Sequence, residues 1–489
     1  MAQPATSEAT TRQAALRRIA DLPGPTGLPL LGNALQIDNS RFHQILESWH
    51  RQYGDFFRFR LAEREFLVVA DPEAIGAVLR DRPDGFNRTD RATEVIADMG
   101  FDGVFSARGE RWRRQRPMVM AGFDPAHIRS YFPTLAKVTE RLARRWSRVA
   151  ASGEPIDLLA DLMRYTVDVT AGLAFGTDIN TLESDREVIQ NHLDKIFPAF
   201  FRRVLAPIPY WRYLKLPRDR EVDRHLDALH HAVEEFIHQA RRRLDADPSL
   251  RQKPGNLIEA MILARDAGDS GLDDDDVAAN VLTMLLAGED TTANTLAWMI
   301  YLLDQNRAAC GELAGTVRAA LGTDSHPTSY EQLAMLDSIE ACTHETLRLK
   351  PVAPVMPLQA ARDSVVADIA VPTGALVICL MRPAGTDSRR FPDAASFRPE
   401  RWQADAPGQF GSARRVVMPF GGGPRICPGR YLALQEIKMV IAMLFGTFDI
   451  LDVRTRDGSE VRERLALTMA PCGLQLRLAV RGATRGAPA

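Results

Sequence analysis

The sequence has few cysteines and places none of them in pairs. Its 489 residues contain five, scattered without the CxxC spacing or the cysteine and histidine clusters of zinc and iron–sulfur sites. This distribution predicts reduced thiols in an intracellular protein. The five are Cys310, Cys342, Cys379, Cys427 and Cys472.

Long apolar runs and an excess of one charge are also missing. The first twenty residues hold no stretch approaching the roughly 20 apolar residues that span a bilayer and no signal-peptide core, so we expect no membrane anchor and a cytoplasmic protein. Arg12, Arg17 and Arg18 leave a transit peptide as the alternative, with Glu8 and Asp21 against it. The formal net charge of -2 gives the whole chain no reason to bind nucleic acid.

What the sequence does contain is typical of a globular, mainly helical protein. Hydrophobic residues make up 45% and charged residues 25% of the chain, and no segment has the composition of a linker. Apolar residues recur at helical spacing between about residues 125 and 350, most clearly in the segment that opens with the aspartates at 273–276. We predict a flexible tail over residues 1–20 and a single domain over 21–484, with a long central helix and strands near 55–70, 365–380 and the C-terminus.

The most unusual stretch is PFGGGPRICPGR, residues 419–430. Three glycines permit a tight turn and let a large group approach the backbone closely, and the apolar helix after Gly429 places Cys427 at a helix N-terminus. There the helix dipole and the free N–H groups favour a thiolate. A single sulfur without partner ligands suits haem iron, which needs one strong axial ligand from the protein. The alternative is a buried thiol in a glycine-rich turn.

Several separated motifs resemble those of the cytochrome P-450 family. Phe420, Gly423, Arg425, Cys427 and Gly429 match FxxGxRxCxG, the haem-thiolate signature of that family. WxxxR, AGEDTT, ExxR and FRPERW precede it in the order that the family has, and the resemblance covers nearly the whole chain. These motifs contain Trp112 and Arg116, Ala287 to Thr292, Glu345 and Arg348, and Arg401.

The resemblance implies a mainly α fold of the cytochrome P-450 type, with a large helical domain, a long central helix and a smaller β-rich region. It implies haem b as cofactor, with Cys427 as the metal ligand. The other residues expected to bind the haem are Phe420, Gly423, Arg425, Gly429, Trp112 and Arg116, the last two at one propionate.

The ExxR pair is expected to be structural. By resemblance, Glu345 and Arg348 lie one helical turn apart and form a buried network with Arg401 that holds the cysteine loop against the haem. Taken alone, such a pair is more often a solvated helix face that contributes a few tenths of a kcal/mol.

The AGEDTT segment resembles the oxygen-activation segment of the family. Gly288 and the two threonines lower helix propensity, which predicts a helix that is opened locally beside the haem. By resemblance, the Thr291 hydroxyl holds the bound oxygen and Asp290 feeds a proton relay. The alternatives are a threonine that bonds back to the preceding turn and an aspartate in a salt bridge.

These motifs together imply a haem-thiolate monooxygenase that inserts one oxygen atom of dioxygen into an apolar organic substrate. Since the sequence after residue 450 contains no flavin-binding or dinucleotide-binding motif, we expect electrons to come from a separate ferredoxin or flavodoxin with its reductase. We also expect a monomer. A peroxide-dependent or rearranging enzyme and a non-enzymatic haem-binding sensor remain open. Candidate pocket residues, each explained equally well by core packing, are Phe101, Phe105, Phe200, Ala287, Val352, Val355 and Met356.

Two further expectations concern charge. In many relatives an arginine after the ExxR helix contacts the second haem propionate, but the aligned residue here is Leu358, which puts that contact in doubt. Basic residues near the haem motifs predict a docking face for an acidic electron donor. They are Arg111, Arg113, Arg114, Arg414, Arg415 and Lys438.

Overall fold

The computed structural model describes residues 16–184, 189–206, 208–268, 270–403, 413 and 415–482, and only the backbone of residues 189–194 and 197. Residues 1–15 of the predicted tail, residues 483 and 484 of the predicted domain, and Arg414 of the predicted basic face lie outside these ranges.

Helices dominate the structure, and the prediction of a mainly α fold with a long central helix is confirmed. The central helix is α11. In chain order the helices are α1 Phe42–Tyr53, α2 Pro72–Arg80, α3 Asp90–Asp98, α4 Gly109–Gly122, α5 Pro125–Ser130, α6 Phe132–Ser152, α7 Leu158–Phe175, α8 Ile189–Leu205, α9 Pro217–Ala246, α10 Leu257–Asp266, α11 Asp274–Gln305, α12 Arg307–Leu321, α13 Tyr330–Ala334, α14 Asp337–Leu349, α15 Arg382–Gly385 and α16 Arg430–Thr447.

The aspartate run fixes the start of α11. The Asp273 carboxylate accepts the amide N–H of Asp276 at 2.8 Å, and the Asp276 carboxylate reaches back to the amide of Asp273 at 3.4 Å. This capping box satisfies two free N–H groups, and the acidic first turn is stabilised by the positive end of the helix dipole. From there the helix runs through the core, where α7 lies along it.

The strands form small sheets at the side of the helical domain. The largest has five strands in the order β2-β3-β9-β6-β4, and β1-β8-β7, β10-β13-β5 and the pair β11-β12 are separate. The strands are β1 Arg17–Arg18, β2 Phe56–Leu61, β3 Arg64–Val69, β4 Phe86–Asn87, β5 Ile156–Asp157, β6 Val355–Ala360, β7 Ser364–Val366, β8 Ile369–Val371, β9 Leu376–Leu380, β10 Phe448–Thr455, β11 Glu463–Leu465, β12 Met469–Pro471 and β13 Leu474–Val480.

The end of the predicted N-terminal tail is corrected. Arg17 and Arg18 form β1 and pair in parallel with Ile369 and Ala370, and the Arg17 guanidinium binds the Asp368 carboxylate at 2.6 and 2.8 Å. The chain therefore joins the domain before residue 20.

The main core lies between the helices. One continuous cluster of buried apolar side chains draws on α6, α7, α9, α11 and α16, and smaller clusters cover the two faces of the five-stranded sheet. Among the helices of the described ranges, none combines the length and the hydropathy needed to cross a bilayer.

Candidate active site

The glycine-rich loop closes on itself just before α16. The amide of Cys427 donates to the carbonyl of Phe420 at 2.9 Å, and the amide of Ile426 donates to the carbonyl of Gly423 at 3.1 Å. Gly423 has a φ of +65°, and a Cβ at this position would lie 2.4 Å from the carbonyl oxygen of Leu79. Glycine is therefore required where the loop packs against the end of α2.

The Cys427 thiol is partly buried at the start of α16. Burial raises its pKa, and this effect outweighs the backbone N–H groups of Gly429 and Arg430 and the charges of Arg116 and Arg430, which lower it. The helix-terminus groups that the sequence indicated do favour the thiolate, but burial opposes them. Metal ligation would have to supply the remaining stabilisation.

Four arginines lie around this loop. Arg116 donates through Nη2 to the carbonyl of Ile426 at 2.7 Å, and Arg425 donates to the carbonyl of Ala107 and lies over the Trp112 ring, with 5.0 Å from its Cζ to the ring centroid. Arg82 and Arg88 lie close to Arg425. The charge of Arg82 lowers the pKa of both Arg425 and Arg88, and the charge of Arg425 lowers the pKa of Arg88. The structure thus brings together Trp112, Arg116, Arg425 and Cys427, and adds two arginines that the motifs did not indicate.

This cluster lacks a negative partner within the described residues. None of the four guanidinium groups forms an ion pair with a described carboxylate, and Nε of both Arg82 and Arg425 is buried without a hydrogen-bond partner. Burial, together with mutual repulsion, lowers the pKa of Arg425 to about 9 and that of Arg88 well below its ordinary value. A buried anionic group with two carboxylates would satisfy these donors. Haem, with its two propionates, fits this requirement.

The ExxR pair lies at the centre of a second, closed network. The Arg348 guanidinium binds both carboxylate oxygens of Glu345 at 2.7 and 2.8 Å and donates to the carbonyls of Gly385, Ala394 and Ser396. Both side chains are fully buried. Arg401 approaches Glu345 at 3.4 Å, so the three residues that the motifs indicated do meet.

Two further groups complete that network. The indole N–H of Trp402 donates to Glu345 Oε2 at 2.8 Å, and the backbone N–H of Arg398 donates to Oε1 at 2.8 Å. Trp402 also packs with Phe391 and Ala394 against Val416 and Val417, which lead into the cysteine loop. Sequence reasoning missed Trp402, although it directly follows Arg401 in FRPERW.

The AGEDTT segment lies within an unbroken helix. The helix α11 continues through Gly288 and Thr291, so the predicted local opening is corrected. A Cβ at Gly288 would lie 2.6 Å from Oγ1 of Thr170 in α7. Glycine at this position therefore allows α7 and α11 to pack closely. The Thr291 hydroxyl donates to the carbonyl of Ala287 at 3.0 Å, as the alternative interpretation expects.

The Asp290 carboxylate accepts a hydrogen bond from the loop between β11 and β12. The Thr468 hydroxyl donates to Asp290 Oδ2 at 3.3 Å and accepts a hydrogen bond from Asn294 Nδ2 at 3.0 Å. A hydroxyl has one proton and can do both at once. This one-way chain orients the carboxylate next to Thr291. Sequence reasoning missed Thr468, because no local pattern relates it to a residue 178 positions earlier.

The pocket candidates do not form one surface. Val355 packs among Trp298 and the sheet residues that face α1, whereas Met356 packs in the cluster on the other face of the sheet. Because successive strand residues point to opposite faces, Val355 is corrected to a core residue. Phe101, Phe105, Phe200, Val352 and Met356 are buried or partly buried, and Ala287 is exposed.

The predicted basic face is mostly neutralised. Arg111 pairs with Asp102 and Asp276, and Arg113 pairs with Asp84 and Glu110. Lys438 is 6% exposed and pairs with Asp337 and Glu340. Lys438 therefore does not belong to an exposed docking face, because its charge is used inside the fold. Arg114 donates to the carbonyl of Gly271.

Comparison with known proteins identifies the family of this chain. A family model described as Cytochrome P450 matches residues 22–478. The chain therefore belongs to the cytochrome P450 family, and the family implies a haem cofactor.

Curated relatives resemble the chain along most of its length. The self-sufficient cytochrome P450 monooxygenase CYP505U2 of Exserohilum turcicum is 27% identical over 95% of this chain and 43% of its own length. Protein LUTEIN DEFICIENT 5, chloroplastic, of Arabidopsis thaliana is 25% identical over 86% of this chain and 71% of its own length. Cytochrome P450 3A31 of Mesocricetus auratus is 25% identical over 88% of this chain and 85% of its own length. The chain thus spans less than half of the fungal self-sufficient relative.

Proposed function

We propose that this chain is a haem-thiolate monooxygenase that binds haem b and inserts one oxygen atom of dioxygen into an apolar organic substrate. The observation that carries the proposal is the meeting of Cys427 with a partly buried cationic cluster that has no described counter-charge of its own. Relatives named as cytochrome P450 monooxygenases support the same reaction class.

Two groups of side chains would have separate roles. Cys427 would ligate the haem iron, and Trp112, Arg116 and Arg425 would hold propionate oxygens by charge-assisted hydrogen bonds. Haem ligated by a thiolate supplies the activation of dioxygen when it is bound. Thr291 would hold and release a proton at its hydroxyl, once that hydroxyl turns from the carbonyl of Ala287.

Asp290 supplies protons to this hydroxyl. Its carboxylate is one residue away on α11 and is oriented by Thr468. The apolar side chains of Phe101 and Met356 would exclude water and favour an apolar substrate.

The ligand assignment is tested by the carbon monoxide spectrum of the reduced protein. We expect the shifted Soret band of thiolate-ligated haem, its loss in Cys427→Ala, and its retention in Cys472→Ala, a control at another partly buried cysteine. An imidazole-type spectrum in the wild-type protein, or no bound haem, would refute the proposal.

The role of Thr291 is tested by coupling of reductant to product. Thr291→Ala should retain the spectrum but release most of its reducing equivalents as hydrogen peroxide. Thr295→Ala is the matched control, because the Thr295 hydroxyl also bonds back one turn, to the carbonyl of Thr291 at 2.7 Å. Equal coupling in both variants would contradict the assignment.

We propose further that the electrons come from a separate ferredoxin or flavodoxin with its reductase, and that the chain acts as a monomer in the cytoplasm. The test is turnover with NADPH and the purified chain alone. Efficient turnover without a partner would overturn this proposal and leave the haem assignment intact.

A further inference from the structure

Position 358 carries no cation. Leu358 lies in β6, is fully buried and packs in an apolar cluster with Leu79, Phe86 and Val377. A leucine cannot bind a carboxylate. If the second haem propionate has a basic partner here, a different residue must supply it.

Arg88 lies at the corresponding place on the neighbouring strand. β4 and β6 are antiparallel, with Phe86 opposite Ala360 and Asn87 opposite Gln359. The same register extended by one residue places Arg88 opposite Leu358. The Arg88 guanidinium stacks on Phe105, with 3.3 Å from its Cζ to the ring centroid, and its Nε donates to the carbonyl of Phe105 at 2.9 Å. Its two terminal nitrogens have no hydrogen-bond partner among the described residues.

Arg82 approaches the same strand from the end of α2. Its Nη1 lies 3.6 Å from Sδ of Met356, which is two residues before Leu358 and therefore on the same face of β6. The side chain is 5% exposed, and its Nε is buried without a partner. The contact of Gly423 with Leu79 and Arg80 brings this segment against the cysteine loop.

A purely structural role does not explain these two arginines. A guanidinium remains charged in proteins, and a buried charge is costly unless it is paired. The hydrogen-bond and ring partners described for Arg82 and Arg88 are one sulfur, one carbonyl and one aromatic ring, and Arg82 also lies near the thiol of Cys379, whose pKa burial raises to about 12. None of these is an anion. The guanidinium of the neighbouring Arg108, in contrast, pairs with Asp90.

We propose that Arg82 and Arg88 bind the haem propionate that an arginine at position 358 contacts in many relatives, while Arg116 and Arg425 bind the other. The inference rests on the haem binding proposed above. The carboxylate ligand thereby receives two guanidinium groups from the segment between α2 and α3 in place of one from β6.

The experiment uses the haem-loaded protein and three neutralising variants. Arg82→Gln and Arg88→Gln are compared with Arg80→Gln, whose side chain is exposed and two residues from Arg82. Haem release is followed as transfer to excess apomyoglobin, and the propionate bending band in the resonance Raman spectrum reports hydrogen bonds to the carboxylates. We expect release about 10-fold faster in each of the first two variants and about 100-fold faster in the double variant.

The propionate band separates binding from a structural effect. It should shift in Arg82→Gln and Arg88→Gln and stay unchanged in Arg80→Gln. Arg88→Lys, which keeps the charge but not the fork of two parallel donors, should recover part of the haem retention while the band stays shifted. If Arg88→Gln does not fold, Arg82→Gln and Arg88→Lys give the same comparison.

Three results would overturn the inference. They are wild-type release rates in both variants, equal acceleration in Arg80→Gln, and faster release with an unchanged propionate band. A wild-type protein without thiolate-ligated haem would instead refute the proposed function. A normal wild-type spectrum with unaltered variants refutes the propionate assignment alone.

Discussion

Two groups of buried arginines differ in the origin of their counter-charge. In the ExxR network, Arg348 is fully buried, and both oxygens of Glu345 bind its guanidinium within 2.8 Å. Around the cysteine loop, Arg82 is buried and Arg425 is partly buried beside other cations, and neither has a described carboxylate partner. The charges of the first group are balanced within the protein, whereas the charges of the second group would be balanced by an anionic ligand.

The difference distinguishes a structural ion pair from a ligand site. Burying a guanidinium costs several kcal/mol unless an opposite charge and hydrogen bonds offset the loss of hydration. Glu345 and three backbone carbonyls offset that cost for Arg348. For Arg88 the offset has to come from outside the described chain. A motif containing arginine does not reveal which case applies, but the burial and partners of each guanidinium do.

The largest expected effect comes from breaking the closed group. Glu345→Ala leaves the Arg348 charge, the Trp402 indole N–H and the Arg398 amide without their carboxylate. We expect the free energy of unfolding to fall by about 5 kcal/mol or more. Urea unfolding of the purified protein, followed by circular dichroism, measures this loss.

Glu400→Ala is the control for that variant, because Glu400 is exposed and pairs with Arg398 at the surface. Its effect should stay within about 1 kcal/mol. Comparable losses in the two variants would show that the Glu345 network is not the structural centre of this region.

Glu436 provides the opposite case, a buried acid without a described basic partner. It lies in α16, is 2% exposed, has a hydrogen bond to Thr292 on α11, and faces Tyr131 and Tyr165. Burial raises the pKa of its carboxyl group to about 8. A carboxyl group can become neutral by taking up a proton, whereas a guanidinium cannot become neutral in this way. Glu436 therefore needs no ligand, in contrast to Arg82 and Arg88.

This contrast predicts a pH dependence of stability. Below pH 4.5 the Glu436 carboxyl is protonated in both states, and between pH 4.5 and about 8 only the unfolded chain releases the proton. Stability therefore falls as pH rises through this window. We expect a decrease on the order of 4 kcal/mol between pH 5 and pH 9, which Glu436→Gln should abolish.

Urea unfolding at a series of pH values measures this decrease as the difference between the wild-type protein and the variant. Glu460→Gln removes an exposed carboxylate and should retain the wild-type slope. A Glu436→Gln profile parallel to that of the wild-type protein would show that the acid is not buried and neutral as the structure indicates.

Most of the fold could be predicted from local sequence. Helical spacing and the capping aspartates located α11 to within a residue at its start, because both signals act within one or two turns. The strand β1 could not be predicted in this way. It has only two residues, Arg17 and Arg18, and exists because of a partner strand about 350 residues away in the chain.

The contacts of the candidate site could likewise be predicted only where the residues are close in sequence. Glu345 and Arg348 are three residues apart on one helix, so their pairing was visible as a motif. The contact of Arg82 with Met356 joins residues 274 positions apart, and no local pattern marks it. Gly288 shows a related limit of prediction from local sequence. Its low helix propensity indicated an open helix, whereas close packing against Thr170 determines its conformation.

The smallest expected effect on stability concerns a neutral contact that positions Asp290. Thr468→Val keeps the side-chain shape but removes the hydroxyl that donates to Asp290 and accepts from Asn294. We expect a loss of only about 1 kcal/mol in unfolding free energy. Because the carboxylate next to Thr291 then loses the hydrogen bond from Thr468, the share of reductant released as hydrogen peroxide should rise.

Thr468→Ser should restore coupling, since it keeps the hydroxyl, and Thr455→Val serves as the control. Thr455 lies in β10 and is about as buried as Thr468, but its hydroxyl donates to the carbonyl of Ser459 and has no described hydrogen bond to α11. Equal peroxide release by the two valine variants would show that Thr468 contributes only packing. Uncoupling in Thr468→Val alone would show that a contact with little effect on stability can still orient the carboxylate of the proton donor. Loss of the network of Glu345 and Arg348, in contrast, affects stability first.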